Sequence, residues 1–132
     1  MTIPFWHVDA FASSAFGGNP AGVCLLDKWL QPALMRRIAA ENNLPETAFV
    51  MLAGSACELR WFTPTVEMDL CGHATLAAGH VLFHHRGWRG SSVFFGSPSR
   101  PSRWSGGTTC SCSISLRGRR FPASLRRFSS PA

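Results

Sequence analysis

Residues 60–85, RWFTPTVEMDLCGHATLAAGHVLFHH, carry the strongest structural signal in the chain. The stretch begins as an apolar strand and breaks at Thr63-Pro64, because proline fixes φ and cannot donate to a sheet. After Cys71-Gly72-His73, small and apolar residues cover most of a helical wheel, which predicts a helix buried on nearly all sides. The start of such a helix exposes backbone N–H groups and the positive end of the helix dipole, so it can bind a carboxylate.

Strand and helix patterns on either side of this stretch indicate the fold class. Runs rich in β-branched and apolar residues predict strands at residues 3–8, 21–26, 47–52 and 58–62. A helix is predicted from Pro32, which suits the first helical position, to Asn42-Asn43. Strands and long helices do not alternate regularly. We therefore expect an α+β domain in which a curved, mostly antiparallel sheet wraps a buried central helix, rather than a doubly wound parallel sheet.

The net charge of +6 is unevenly distributed. Residues 1–85 hold all seven acids and four bases, a balance of −3, whereas residues 86–132 hold nine arginines without any acid or lysine, a balance of +9. Beyond residue 86 only Ser91 to Phe95 resembles a strand. We therefore divide the chain into a domain at residues 1–95 and an Arg/Ser-rich tail at 96–132, for which we expect irregular or disordered structure.

Two interpretations of the tail remain open. The tail can be a basic arm that binds RNA, because clustered arginine is the electrostatic signature of nucleic-acid binding. Alternatively, the reading frame is shifted there, since Arg, Ser, Gly and Pro are what a GC-rich gene yields in the wrong frame. The loss of every Asp, Glu and Lys favours the shifted frame.

The cysteines and the hydropathy pattern predict a cytoplasmic protein. Three of the five cysteines, Cys24, Cys57 and Cys71, stand singly among apolar residues, where a free cysteine behaves as a small buried hydrophobe. The first residues lack a basic region and a long apolar run, so no signal peptide is expected. No stretch is long enough for a membrane span.

Glu46, Cys71 and His73 are the side chains best suited to chemistry. Glu46 follows Pro45, and a carboxylate in a partly apolar pocket has a raised pKa and can act as a general acid or base; the alternative is a solvated loop glutamate. His73 can bind a substrate carboxylate or share a proton with Glu46, or it can simply bond to a backbone carbonyl. Cys71 can be an acid/base thiol, because a helix start lowers thiol pKa, but we favour a small core residue.

The histidines near the end of the predicted helix do not indicate a metal site. His80 and His84 have the spacing of two zinc ligands on one helix face. No glutamate follows His80 as in zinc proteases, and no third ligand is evident. We interpret these two side chains and His85 as packing and helix-end residues.

Three blocks of sequence resemble the phenazine-biosynthesis isomerase-like (PhzF-like) family over residues 3 to about 90. They are Val8-Asp9-Ala10-Phe11 with Gly18-Asn19-Pro20-Ala21-Gly22-Val23, then Leu44-Pro45-Glu46-Thr47-Ala48-Phe49, then Phe62-Thr63-Pro64-Thr65-Val66-Glu67 with Cys71-Gly72-His73-Ala74-Thr75. The resemblance implies a diaminopimelate-epimerase-like fold, with two similar domains that each wrap strands around a central helix and an active site in the cleft between them. It also implies that no cofactor and no metal are needed.

The resemblance further implies roles for individual residues. The best-understood family member isomerises a dihydro-hydroxyanthranilate and moves a proton through one glutamate, and Glu46 falls on that glutamate. Gly72 and His73 fall on the pair that contacts substrate at the helix start, and Asn19 matches a position near the cleft. Related epimerases carry an acid/base cysteine at the position of Cys71, but PhzF-like proteins do not rely on a thiol pair, so Cys71 is left out of the catalytic set.

Family members are about twice this length, and their second domain brings an Asp-Pro-x-Thr-Gly-like segment that this sequence lacks. We therefore expect a cofactor-independent isomerase or epimerase half that acts weakly or not at all on a small carboxylated metabolite through Glu46. The alternative is a non-catalytic binding or dimerisation module whose basic tail contacts nucleic acid or an acidic partner. A homodimer is expected because the half-cleft exposes apolar surface. Membrane and nucleic-acid partners are not expected.

Overall fold

The computed structural model describes residues 2–10, 18–53, 56–69, 71–88, 92–96, 112–115 and 126–127. The elements are β1 (Phe5–Ala10), β2 (Asn19–Leu26), α1 (Pro32–Asn42), β3 (Glu46–Ala53), β4 (Ala56–Phe62), β5 (Glu67–Met68), α2 (Gly72–His85), β6 (Ser92–Gly96), β7 (Cys112–Ser115) and β8 (Arg126–Arg127). The described strands form one sheet in the order β7-β6-β4-β3-β2-β1-β8, with β5 paired to β4. Only the β2–β3 and β4–β6 pairs among them are parallel, which confirms a mostly antiparallel α+β domain.

Helix α2 packs across one face of the sheet and forms the main core with it. Its buried residues are Ala74, Thr75, Ala77, Ala78, Gly79, Val81 and Leu82. They pack against alternate residues of the strands, such as Val23 and Leu25 of β2. The predicted buried helix is confirmed between Ala74 and Leu82, and its end at His84 and His85 is exposed.

Helix α1 covers part of the opposite face. Met35 and Ala39 pack there with a second set of alternate strand residues, including Cys24 and Leu26 of β2. Strand β2 is therefore buried on both faces. The helix ends as predicted, at Asn42 followed by Asn43, whose φ of 49° is left-handed and whose N–H donates to the carbonyls of Ala39 and Ala40 at 3.2 Å.

A buried pair of hydrogen bonds fixes the first turn of α2 to the sheet. The indole Nε1 of Trp61 on β4 donates to Thr75 Oγ1 at 3.0 Å, and the Thr75 hydroxyl donates to the carbonyl of Cys71 at 2.7 Å. Thr75 is fully buried, with 0% of its surface exposed. Buried polar groups are normally paired in this way. The start of α2 is thus held in place by the core.

An ion pair orders the chain between β4 and β5. Arg60 donates to both carboxylate oxygens of Glu67, from Nε at 2.7 Å and from Nη2 at 2.8 Å. The Arg60 guanidinium carbon also lies 5.6 Å from the ring centroids of both Trp29 and Phe62. A bidentate, ring-stacked arginine holds its partner in one geometry. This contact therefore fixes the turn that leads towards α2.

The tail contains strands that the sequence analysis did not predict. Strand β6 confirms the prediction at Ser91 to Phe95, and β7 then pairs antiparallel with β6. A signal was present, because residues 110–116, CSCSISL, alternate apolar and polar residues with the period of a strand. Residues 112–115 and 126–127 therefore form strands, whereas the sequence analysis expected an irregular tail. Apart from Gly96, which ends β6, the other residues of the tail lie outside the described part of the chain, so disorder stays a prediction there. The shifted frame stays a prediction for the whole tail.

Candidate active site

Parallel pairing of β2 with β3 brings two predicted site residues to the same end of the sheet. The register pairs Ala21 with Glu46, and Asn19 begins β2 two residues earlier. Parallel strands start at a common edge, so Asn19 and Glu46 both lie there. The Asn19 side chain is exposed, and within the described residues no hydrogen bond joins it to Glu46 or His73.

Glu46 is half-buried at the start of β3, on the face that Ala48 and Val50 use to pack against α2. Its Oε2 is buried and has no hydrogen-bond partner among the described residues. Burial raises the pKa of this carboxyl group, because the charged form loses hydration. The predicted environment of Glu46 is present, although the residue starts a strand and does not sit in a loop.

Cys71 precedes the first residue of α2 and has an extended backbone, with φ −141° and ψ 108°. Burial is the largest effect on its thiol and raises the pKa, and the negative charge of Glu46 raises it further. The backbone N–H groups of Ala74 and His73 act in the opposite direction but do not prevail. A reactive thiolate at the helix start is therefore not supported, and the favoured interpretation of Cys71 as a buried residue stands.

His73 lies in the first turn of α2 beside Cys71. Its Nδ1 is 3.2 Å from Cys71 Sγ, and its Nε2 is buried without a hydrogen-bond partner among the described residues. Among the described residues, the His73 ring makes no hydrogen bond to a backbone carbonyl, which was the alternative prediction. Glu46 acts electrostatically on Cys71, and Cys71 contacts His73. We therefore treat these three side chains as one group.

Gly72 begins α2 and is exposed. A Cβ atom added at this position would meet nothing within 4 Å. The glycine is therefore not required by packing inside the domain, and the space in front of the helix start is open. This space lies beside His73, where backbone N–H groups favour an anion.

The histidines at the other end of α2 form a separate cluster. The ring centroids of His80 and His84 are 4.5 Å apart, and those of His80 and His85 are 5.8 Å apart. Burial, followed by the two neighbouring histidines, lowers the pKa of His80 to about 4. Among the described residues, no three His, Cys, Asp or Glu side chains are arranged to hold a metal ion. No described helix is long and apolar enough to cross a membrane.

A family model described as phenazine biosynthesis-like protein matches residues 8–102. The chain belongs to this family. The resemblance inferred from the three sequence blocks is therefore confirmed, and with it the relationship to proteins named as isomerases. The roles of individual residues stay predictions.

Curated relatives and solved structures agree with this assignment. The chain is 61% identical over 83 residues to an uncharacterized isomerase of Pseudomonas aeruginosa, a match that covers 63% of this chain and 32% of the relative. It is 51% identical over 92 residues to a human phenazine biosynthesis-like domain-containing protein, of which it covers 32%. The chain thus spans about a third of the length of these relatives.

The structural matches support the predicted fold. The crystal structure of a PhzF-family protein from Enterococcus faecalis matches with a TM-score of 0.72 and 52% identity, over 75% of this chain and 38% of that one. A predicted epimerase from P. aeruginosa matches with a TM-score of 0.61 and 26% identity, over 72% of this chain and 34% of that one. An epimerase-like relationship of the fold is therefore shown.

Sequence reasoning missed one part of this site. It treated Cys71 as a core residue and His73 as a separate ligand-binding residue, whereas the sulfur contacts the His73 ring. The spacing of the two residues around a helix start was the available signal. A residue just before a helix and one in its first turn can face each other, because the backbone turns sharply between them.

Proposed function

We propose that this chain carries the proton-transferring part of a cofactor-independent isomerase or epimerase that acts on a small carboxylated metabolite. Glu46 is the acid/base group in this proposal. The observation that supports it best is the Glu46 Oε2 atom, which is buried, unpaired among the described residues and part of a carboxyl group with a raised pKa. A raised pKa makes a carboxyl group better suited to take up a proton and return it.

The proposed reaction needs only proton movement. The Glu46 carboxylate removes a proton from a carbon of the substrate, and the electron pair left behind spreads into the conjugated system next to it. The protonated Glu46 then returns the proton to a different carbon, or to the other face of the same carbon. Atoms and charge balance without an oxidant, a reductant or a cofactor.

Substrate placement is proposed for the start of α2. The space in front of Gly72 is open, and the helix dipole favours a carboxylate there. The His73 ring belongs to the same turn; its Nε2 is buried and unpaired among the described residues, so a ligand bonds to it only where binding uncovers the atom. Charge that develops during proton transfer would then be stabilised by groups already in position.

We further propose that this chain alone is a weak catalyst. The part of the chain that matches these relatives covers about a third of their length, so the opposing wall of the cleft has to come from elsewhere. Without that wall, water enters and the substrate is held on one side only. Positioning provides much of the rate in proton-transfer enzymes, so its loss lowers turnover strongly.

The origin of the tail belongs to the same proposal. Sequencing the coding DNA around codons 84–132 and translating all three frames tests whether the frame is shifted. Another frame that continues with acids, strands and an Asp-Pro-x-Thr-Gly-like segment would support the shift. An unchanged frame would establish the Arg-rich tail as the natural sequence. Homodimer formation, a cytoplasmic location and the lack of membrane or nucleic-acid partners stay predictions.

Deuterium exchange tests the proton transfer. The chain is incubated in D2O with a dihydro-hydroxyanthranilate, and deuterium in recovered substrate and product is followed by mass spectrometry. We expect slow exchange by the wild type and none above buffer with Glu46→Gln. Thr47→Val is the matched control, because it changes the neighbouring residue on the opposite face of β3 and should exchange like the wild type. Exchange by Glu46→Gln at the wild-type rate would refute the role of Glu46, and wild-type exchange no faster than in buffer would refute proton transfer by this chain.

A further inference from the structure

The two ring nitrogens of His73 have different surroundings. Nδ1 lies 3.2 Å from Cys71 Sγ, whereas Nε2 is buried and has no partner among the described residues. A neutral imidazole carries its proton on one nitrogen and a lone pair on the other. The group that faces Nδ1 therefore determines whether Nε2 is a donor or an acceptor.

Cys71 presents a thiol and not a thiolate to that ring. The residue is only 8% exposed, and burial is the largest cause of the raised pKa of its thiol. The negative charge of Glu46 adds to this effect, since removing the thiol proton would place two negative charges close together. The sulfur consequently keeps its proton at neutral pH and has an S–H group to donate.

We propose that Cys71 is a positioning residue, whose S–H donates to His73 Nδ1 and thereby keeps the neutral imidazole proton on Nε2. His73 then carries an N–H donor on its buried Nε2, which has no partner among the described residues. In the reverse arrangement, Nε2 would carry a lone pair, which repels a carboxylate. The tautomer is a property of the protein alone, and only its use in holding a substrate oxygen rests on the proposed function.

This arrangement separates two roles within the site. A donor at Nε2 binds the substrate oxygen and takes no proton from carbon, so Glu46 is left as the only base of the group. The thiol itself neither attacks nor exchanges a proton with substrate. Its contribution is to select one of two tautomers that would otherwise interconvert.

Side-chain nitrogen NMR tests this directly. Long-range ¹H–¹⁵N spectra of the ¹⁵N-labelled full chain at neutral pH report which ring nitrogen carries the proton, and His73→Gln identifies the His73 signals. We expect a single tautomer with Nε2 protonated and Nδ1 accepting a hydrogen bond. In Cys71→Ala the Nδ1 signal should move to the position of a nitrogen without a hydrogen bond, whereas Cys71→Ser, which keeps a donor, should retain the wild-type pattern.

Cys57→Ala is the matched control. Cys57 is another buried cysteine of the same core, and no hydrogen bond joins it to His73 in the described part of the chain, so its removal should leave the His73 signals unchanged. Circular dichroism confirms that each variant is folded. A proton on Nδ1 in the wild type would overturn the proposal, and so would unchanged signals in folded Cys71→Ala. Because no substrate is present, a failure here is distinct from a failure of deuterium exchange.

Discussion

Replacing Thr75 by valine should destabilise the domain, whereas the same replacement at Thr47 should not. Both threonines are fully buried, with 0% exposure, and valine keeps the β-branched shape in each case. They differ in hydrogen bonding. Thr75 Oγ1 accepts from Trp61 at 3.0 Å and donates to the Cys71 carbonyl at 2.7 Å, whereas Thr47 Oγ1 has no partner among the described residues.

The expected magnitudes follow from this difference. Thr75→Val leaves the indole N–H of Trp61 buried without an acceptor, which costs about 1–3 kcal/mol. The Cys71 carbonyl still accepts from the Thr75 backbone N–H at 3.0 Å, so it adds little. Thr47→Val removes a hydroxyl whose burial is not offset by a hydrogen bond, so it should be neutral or stabilising by about 1 kcal/mol. The two variants should therefore differ by about 2 kcal/mol or more.

Urea unfolding followed by far-UV circular dichroism measures both variants. With a typical m-value of about 1–3 kcal/mol/M, a difference of about 2 kcal/mol separates the midpoints by roughly 1 M. In a Trp61→Phe background, Thr75→Val should lower the free energy of unfolding by less, because no indole N–H is then left without an acceptor. Equal midpoints for the two valine variants, with equal m-values, would refute the assignment of the buried hydrogen bond.

Titration and local space give three more expected outcomes. Because the pKa of Glu46 is raised, this group stabilises the folded state at low pH, and the contribution is lost as pH rises. Glu46→Gln should therefore reduce the fall in the urea unfolding midpoint between about pH 4 and about pH 7. The same pH dependence of the midpoint in Glu46→Gln and the wild type would contradict this. The pKa of His80 is lowered to about 4, so its contribution to stability is present above the unfolded pKa of about 6.5 and is lost as pH falls. His84→Gln should raise the His80 pKa in an NMR titration, because the His84 charge helps to lower it. An unchanged His80 pKa in this variant would contradict the prediction. Gly22→Ala should lower the unfolding midpoint, because its Cβ would lie 2.7 Å from a ring carbon, while Gly72→Ala should not; equal loss in both would refute the packing argument.

Local pattern was sufficient to predict most elements of this fold. Helix α1 begins at Pro32 and ends at Asn42 as predicted, because proline and asparagine act on the backbone of their own turn. The apolar run of α2 was also evident, since it depends on which residues follow one another. Features of this kind are encoded within a few positions.

Features that depend on distant residues were not predictable in the same way. The sequence suggested that the helix start lowers the pKa of Cys71, but burial and the charge of Glu46 raise it. Glu46 precedes Cys71 by 25 positions, and the pairing of β3 with β2 and β4 fixes where it lies. The contact between Cys71 and the His73 ring likewise depends on side-chain rotamers that a sequence pattern does not specify. The importance of Glu46 itself came from the family resemblance.

The hairpin of β3 and β4 offers a convenient attachment point for a spectroscopic probe. Strand β3 begins with Glu46 and its backbone pairing with β4 reaches Ala53 and Ala56, so the last residue of β3 is seven positions from Glu46. At about 3.3 Å per residue, this is roughly 23 Å along a continuous strand. A fluorophore or affinity tag introduced between Ala53 and Ala56 would therefore lie far from Glu46 and should leave the surroundings of its carboxyl group unchanged.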